Sequence, residues 1–128
     1  MEFESIENRE IVKRTISQMR HAISQLREWN VGIRDVDQWL HSSSGMQALA
    51  ANCMLIEAIG EGVKQIEKRS PKEFLSYCPD IPWPEIKAMR NHIAHGYFEI
   101  DAEFVLAVLM NDLSPLDSAL SRLQSLIE

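Results

Sequence analysis

Apolar residues recur at steps of three and four along much of this chain, which is the spacing of one face of an α-helix. The first such stripe predicts a long helix over Ile6–Trp29, ended by Asn30 and Gly32. A second stripe predicts a long helix over residues 45–68, with one of the serines at 42–44 as its N-cap. The two stripes consist of Val12, Ile16, Met19, Ile23 and Leu26, and of Leu49, Cys53, Ile56, Gly60 and Val63.

Shorter elements are predicted between and after these two helices. Asp35 can cap a short helix over residues 36–41, and Pro71 can start a single helical turn in the proline-rich stretch 70–84. Three further helices are predicted over residues 84–95, 102–110 and 115–127. Their boundary residues are Pro84 and Gly96 for the first, and Asp101 and Ser114 as the caps of the other two.

The absence of alternating apolar and polar runs argues against β-strands. We therefore expect an all-α bundle of two long and two to three shorter helices, with residues 1–128 as one domain. Gly60 and Gly62 each cost a helix about 1 kcal/mol relative to alanine. This cost suggests close helix packing or the close approach of another chain, although simple tolerance explains it equally well. Asn52 falls on the apolar face of its helix and needs a hydrogen-bond partner, on another helix or in a second copy of the chain.

Composition narrows the classes of function. Hydrophobic residues make up 45% and charged residues 25% of the chain, which is the mixture of a globular protein and excludes wholesale disorder. The formal net charge is −6, so any contact with nucleic acid must be local. Cys53 and Cys78 lack zinc-site spacing and are expected to be reduced core thiols. Residues 1–10 show no export signal, which favours the cytoplasm.

Candidate chemistry is concentrated in residues 90–98, which read Arg-Asn-His-Ile-Ala-His-Gly-Tyr-Phe. A histidine can move a proton to or from a ribose hydroxyl near neutral pH. An arginine can hold the phosphate oxygens while negative charge builds up on them. Arg90 and His95 therefore suggest phosphate-ester chemistry that needs no metal ion and no cofactor. The simpler alternative is a helix C-terminus whose histidines interact favourably with the helix dipole.

On one ideal helix, Arg90 and His95 point about 140° apart. Either the helix unwinds near His95 and Gly96, or two copies of the chain combine their segments across a two-fold axis. We favour the second arrangement, because a homodimer also concentrates positive charge on an acidic protein.

The spacing Arg90-x4-His95-x-Tyr97 resembles the Arg-x4-His-x-Tyr motif of the HEPN superfamily, and specifically of the HepT-like toxins. The flanking sequence is also similar to this family, from about residue 35 onward. The similar segments are Ile-Gly-Glu at 59–61, Ile-Pro-Trp-Pro-Glu-Ile at 81–86, Asp101, and Asp-Leu-Ser-Pro-Leu at 112–116.

This resemblance implies a metal-independent endoribonuclease toxin that acts on RNA as a homodimer, in a type II-like toxin–antitoxin pair. It implies that Arg90 binds phosphate, that His95 is the catalytic base or acid, and that Asn91 is a polar support. It also implies an antitoxin partner, an MntA-like minimal nucleotidyltransferase, which can transfer AMP to Tyr97. Bulk and negative charge at Tyr97 would then block RNA from the neighbouring Arg90.

Two further residues and one further function stay open. Glu61 can orient Arg90 or pair with Lys64 on the surface, and His92 can line an RNA groove or be an ordinary surface histidine. The alternative function is a catalytically silent HEPN dimer that serves as binding partner or sensor for a nucleotidyltransferase.

Overall fold

Two long antiparallel helices form the centre of the molecule. The computed structural model describes residues 2–93 and 96–127, without the side chain of Tyr97. Within these ranges the chain is all-α, as predicted, and contains no β-strand. The helices are α1 Ile6–Trp29, α2 Asp37–Leu40, α3 Ser43–Arg69, α4 Trp83–Lys87, α5 Arg90–Ile93, α6 Ala102–Ala107 and α7 Leu113–Ile127. Short 3₁₀ turns lie at Leu75–Tyr77 and Tyr97–Glu99, and a π turn lies at Val108–Asp112.

The predicted stripes are buried where α1 and α3 pack together, and α7 packs against the other side of α1. The close packing expected at the two glycines of α3 is present. A Cβ on Gly62 would lie 2.5 Å from Sδ of Met19 in α1, and a Cβ on Gly60 would lie 3.1 Å from the carbonyl oxygen of Ile86 in α4. The glycines therefore let α1 and α4 approach α3 from two directions.

Asn52 finds its partner within the same chain. Its amide and that of Asn30, at the end of α1, exchange two hydrogen bonds of 2.8 and 3.0 Å. This pair satisfies the buried polar group and ties the C-terminal end of α1 to α3. The prediction of a hydrogen-bonded asparagine is confirmed, and no second copy is needed to explain it.

The predicted serine cap of α3 is confirmed, whereas the N-cap of α2 is Val36, one residue after the predicted Asp35, and Val36 makes no side-chain capping hydrogen bond. Ser42 is the serine that caps α3, and its Oγ accepts a 2.9 Å hydrogen bond from the Gly45 N–H. The Asp35 carboxylate accepts from the Asp37 N–H at 2.9 Å, at the start of α2. Cys53 and Cys78 are both buried and unpaired, and burial raises the pKa of the Cys53 thiol to about 11. Among the described residues, no helix has the length and apolarity to cross a bilayer.

The prediction of a single helix over residues 84–95 is wrong, because the chain forms two short helices there, α4 and α5. Around Ala88 and Met89 the hydrogen bonds change to partners three residues back, such as Asn91 N–H to Ala88 carbonyl at 2.9 Å. The change follows the point where the Ile86 and Lys87 carbonyls approach Gly60. Tertiary packing against α3 therefore separates α4 from α5.

The predicted gap between residues 110 and 115 is also wrong. The π turn joins α6 directly to α7, and Ser114 lies inside α7 instead of capping it. Its hydroxyl accepts a hydrogen bond from Nη2 of Arg27 at 2.9 Å. Pro115 has no N–H to donate to residue 111, so regular α-helical bonding cannot continue through this junction. A π turn takes up the irregularity without ending the helix.

Candidate functional site

Arg90 begins the short helix α5 and projects from the surface. Its neighbours Met89 and Ile93 are buried in the core, 4% and 0% exposed, and they hold the helix in place. Arg90 itself is exposed and has no hydrogen-bond or ion-pair partner within residues 2–93 and 96–127. Its guanidinium is therefore available for an anion from outside the chain. Asn91, the next residue, is also exposed.

The loop after α5 is closed by backbone hydrogen bonding. The Asp101 N–H donates to the Ile93 carbonyl at 2.6 Å, and the Asp101 carboxylate accepts from the Phe104 N–H at 3.0 Å to cap α6. Gly96 has a φ of +121°, a backbone conformation that side-chain-bearing residues rarely adopt. The chain has thus left helical geometry by Gly96.

Two predicted residues fall on undescribed parts of the chain. His95 lies outside the described residues, and the side chain of Tyr97 is not described. Tyr97 is the first residue of the 3₁₀ turn Tyr97–Glu99. The catalytic role of His95 and the modification of Tyr97 therefore stay predictions.

Glu61 is not brought to Arg90. Its carboxylate pairs with Nζ of Lys64 at 3.2 Å, and both side chains are about half exposed, at 54% and 50%. The contact observed in this chain is the surface pair, which contributes little to stability. Glu61 and Gly62 instead line a groove between α1 and α3.

His92 lies on the other side of α5 from Arg90. Its ring packs against Phe104 of α6, with centroids 5.4 Å apart and an interplanar angle of 32°. The two rings stand at the edge of a cleft of about 520 Å³. His92 is therefore exposed, as expected, but it faces this cleft.

The cleft beside His92 has an apolar floor and an acidic rim. Ile86, Met89 and Leu116 contribute to the floor, and Asp80, Glu85 and Asp112 contribute the carboxylates. Partial desolvation, and secondarily the charge of Glu85, raise the pKa of Asp112. In the part of the chain that the structure describes, no three His, Cys, Asp or Glu side chains are grouped so as to hold a metal ion. Such a cleft repels phosphate, so any RNA must lie on the Arg90 side of α5.

Phe98 is a residue that motif spacing alone did not single out. It lies in the turn directly after Tyr97, and its side chain is 96% exposed. The signal that could have found it is an aromatic residue just beyond a glycine, in a segment already rich in candidate chemistry. The sequence marks Asp112 only as part of a flanking segment similar to the family, because its proximity to Glu85 is a tertiary contact.

Comparison with known proteins identifies the family of the chain. The sequence model of the family described as "Ribonuclease HepT-like" matches residues 19–123. The match includes α3, α4, α5 and α6 and the whole motif segment. The chain belongs to the HepT-like ribonuclease family, a HEPN-type family.

Individual relatives match over shorter stretches. A protein of Thermococcus cleftensis named "Probable ribonuclease HepT" is 32% identical over 69 residues, which is 54% of this chain and 59% of the relative. A relative with a provisional RNase name, from Caldanaerobacter subterraneus, is 32% identical over 62 residues, 48% of this chain and 52% of its own length. The chain thus spans little more than half the length of these relatives. No solved structure matches it.

Proposed function

We propose that this protein is a metal-independent endoribonuclease, the toxin of a type II-like toxin–antitoxin pair. The observation that carries the proposal is the exposed Arg90 on α5, which has no partner among the described residues and lies within the motif of a chain of the HepT-like ribonuclease family. An arginine that ends in solvent and lacks a carboxylate partner is poised to bind an anion. The relatives named as ribonucleases supply the chemical class of that anion, an RNA phosphate.

In the proposed reaction His95 takes the proton of a ribose 2′-hydroxyl, whose oxygen attacks the neighbouring phosphorus. The bond from phosphorus to the 5′-oxygen of the next nucleotide breaks, and that oxygen takes up the proton that His95 has accepted, which returns His95 to its neutral form. Arg90 holds the non-bridging oxygens as their negative charge increases, which is the stabilisation that a fixed cation provides. Asn91 is a candidate contact to RNA. His92, which lines the acidic cleft, and Glu61, which is paired with Lys64, are left out of the proposed site.

A homodimer is part of the proposal. Its support is electrostatic, because a net charge of −6 opposes RNA binding and two copies of Arg90 near one axis would offset it locally. The exposed position of Arg90 is compatible with such a pairing. Sedimentation equilibrium of the purified protein tests this part directly.

The proposed partner is a minimal nucleotidyltransferase antitoxin of the MntA-like kind, which silences the enzyme by AMP transfer to Tyr97. Tyr97 begins a turn that the Asp101–Ile93 hydrogen bond holds close to α5. A phosphate on the tyrosine oxygen would carry negative charge into the neighbourhood of Arg90 and compete with RNA for it.

The alternative is a catalytically silent HEPN dimer that acts as partner or sensor for the nucleotidyltransferase. The acidic cleft beside His92 favours it, since three carboxylates near the motif disfavour RNA. Cleavage of RNA by the purified protein separates the two functions.

The experiment is RNA cleavage in EDTA, with mixed cellular RNA as substrate. The variants are Arg90→Ala and His95→Ala, and each has a matched control at an exposed position outside the motif: Arg34→Ala and His21→Ala. We expect both motif variants to lose about 10²–10³-fold or more in rate, and both controls to cleave like wild type.

Equal cleavage by all five proteins would mean contamination and would remove the support for an enzyme. No cleavage by wild type, with intact mass excluding AMP on Tyr97, would favour the silent dimer. Loss of cleavage in EDTA that Mg²⁺ restores would overturn the metal-independent mechanism while leaving a ribonuclease.

A further inference from the structure

The cleft with the acidic rim offers an apolar surface on which a ligand can be buried. Ile86, Met89 and Leu116 form part of its floor, and they are only 6%, 4% and 2% exposed because the core holds them in place. Pro82 and Pro115, which are both exposed, also line it. The cleft volume of about 520 Å³ lies within the range of functional binding pockets, which are concave and mostly apolar.

Three carboxylates at the rim of this cleft lack a counter-charge. Asp80 precedes α4, Glu85 lies in α4 and Asp112 ends the π turn, so the rim is assembled from separate segments. All three side chains are exposed, and none forms an ion pair with another described residue. Desolvation, and then the charge of Glu85, raise the pKa of Asp112, as expected where nearby negative charge is not offset.

The segments around the cleft supply no cation of their own. Neither lysine nor arginine occurs among the described residues that line it. Residues 91–121 include α6 and the π turn, and they contain no lysine or arginine but five acidic residues. Lys87, the one lysine of α4, pairs instead with Glu67 of α3 at 2.8 Å. Positive charge that meets this rim must therefore come from another molecule.

The negative charge of the rim disfavours most kinds of occupant. RNA and anionic lipid surfaces are repelled by carboxylates. A second copy of this chain carries the same net charge of −6 and is a poor electrostatic complement. A metal ion needs grouped ligands, and residues 2–93 and 96–127 contain no such group of three His, Cys, Asp or Glu side chains. An occupant that presents both apolar surface and cationic groups satisfies the floor and the rim together.

We propose that this cleft is a docking site for a basic segment of a partner protein. An apolar side chain of that segment enters the cleft, and the lysine or arginine residues that flank it meet Asp80, Glu85 and Asp112. Burial of the apolar side chain supplies affinity, and the complementary charges orient the segment and speed its association. This docking site is separate from the surface of Arg90, and the proposal does not rest on RNA cleavage.

The first test selects binders from a displayed library of random short peptides. The library is first depleted on the double variant Glu85→Lys, Asp112→Lys, and the remaining peptides are then captured on the wild-type protein. We expect the captured peptides to share an apolar residue flanked by lysine or arginine. Failure to capture any peptide, or capture of peptides without basic residues, would overturn the proposal.

Anisotropy of one captured peptide, made with a fluorescent label, then measures each part of the contact. Glu85→Gln and Asp112→Asn should each weaken binding about 2- to 5-fold. Glu103→Gln removes an exposed charge outside the cleft and should bind like wild type. Replacing the apolar residue of the peptide by serine should weaken binding about 10-fold or more, because the floor then buries no apolar group.

Two results would contradict docking in this cleft. An equal loss of affinity in Glu103→Gln would mean that the peptide is attracted only by the net charge of the protein. Undiminished binding of the serine peptide would mean that the apolar floor is not used. Circular dichroism checks that the double variant is folded, and the single neutral variants keep the test decisive if it is not.

Sedimentation equilibrium separates a partner protein from a second copy of the chain. The wild type and the double variant Glu85→Lys, Asp112→Lys should have the same oligomeric state. A dimeric wild type beside a folded, monomeric double variant would show that a second copy occupies the cleft, and it would overturn the proposal of a different partner.

Discussion

Two regions of the molecule differ in how much of their side-chain surface is buried. The frame, which we define as α1, α3 and α7, consists of long helices with continuous buried stripes. The motif segment, residues 90–101, consists of a short helix and a turn, with most described side chains in solvent. Among its described residues, Ile93 is buried in the core, Ile100 packs against the core, His92 packs on Phe104, and Asp101 is hydrogen-bonded to Ile93. The proposed reactive groups thus belong to a small, mostly exposed segment carried by a packed scaffold, which is how binding residues are commonly arranged.

The largest effect is expected when one buried isoleucine is replaced in each region. Ile16 of α1 and Ile93 of α5 are both 0% exposed. We expect Ile16→Ala and Ile93→Ala each to lower the free energy of unfolding by about 2–5 kcal/mol, measured by urea denaturation. Only Ile93→Ala should also lower cleavage by the folded protein, by about 10²-fold, because it releases the helix that carries Arg90.

Activity in this pair must be measured at a temperature where both variants are folded, as monitored by circular dichroism. Equal activity of the two folded variants would mean that Ile93 does not position Arg90. A loss in Ile16→Ala as large as in Ile93→Ala would mean that the frame and the motif segment are not separable.

A smaller effect is expected from the two helix caps. Ser42 caps α3 in the frame and Asp101 caps α6 at the end of the motif segment. Ser42→Ala and Asp101→Ala should each cost about 0.5–2 kcal/mol of unfolding free energy. Asp101→Ala should in addition reduce cleavage, because a frayed α6 loosens the loop closed onto Ile93.

Asn is also a good N-cap, so Asp101→Asn should restore both stability and cleavage. A stable Asp101→Asn variant that remains inactive would assign Asp101 a role beyond capping.

The smallest effect is expected in the acidic cleft beside His92. The pKa of Asp112 is raised in the folded protein, so its charged form is disfavoured by folding. Folding favours the protonated carboxyl, so the contribution of Asp112 to the free energy of unfolding is fully present below its unfolded pKa of 3.8. That contribution is lost as the pH rises through the higher pKa of the folded protein. Asp112→Asn should therefore be more stable than wild type at pH 7, with a difference that shrinks on acidification.

Thermal unfolding across pH measures this difference, with the exposed Glu103→Gln as a control outside the cleft. An Asp112→Asn variant that is less stable than wild type at neutral pH would contradict the stated direction. It would indicate a favourable role for the carboxylate in the π turn.

The frame was largely predictable from sequence, and α1 begins and ends where its stripe does. A stripe repeated over several turns determines which face is buried, almost regardless of what packs against it. The serine cap of α3 and the buried Asn52 were predictable for a similar reason, since a helix terminus and a buried amide each require a partner. The identity of the Asn52 partner, Asn30, needed the three-dimensional arrangement.

In the motif segment, the sequence predicted which residues are candidates for chemistry, but not how the segment is folded. Arg90 and its neighbours could be found by residue type and spacing, because proton transfer and phosphate binding need those groups. The break between α4 and α5 could not be found, since it depends on carbonyls approaching Gly60 of α3. The prominence of Phe98 was hidden as well, because exposure is a property of everything that surrounds a residue.

By itself, the sequence determined the helical class, the buried faces of the long helices and the location of the candidate chemistry. These follow from periodicity, capping and residue type, which act over a few turns of chain. Tertiary structure alone decided that Arg90 and His92 face different surroundings, one open solvent and the other an acidic cleft. The cleft is assembled from residues 80–92, Phe104 and residues 112–116, which come together only when the helices pack.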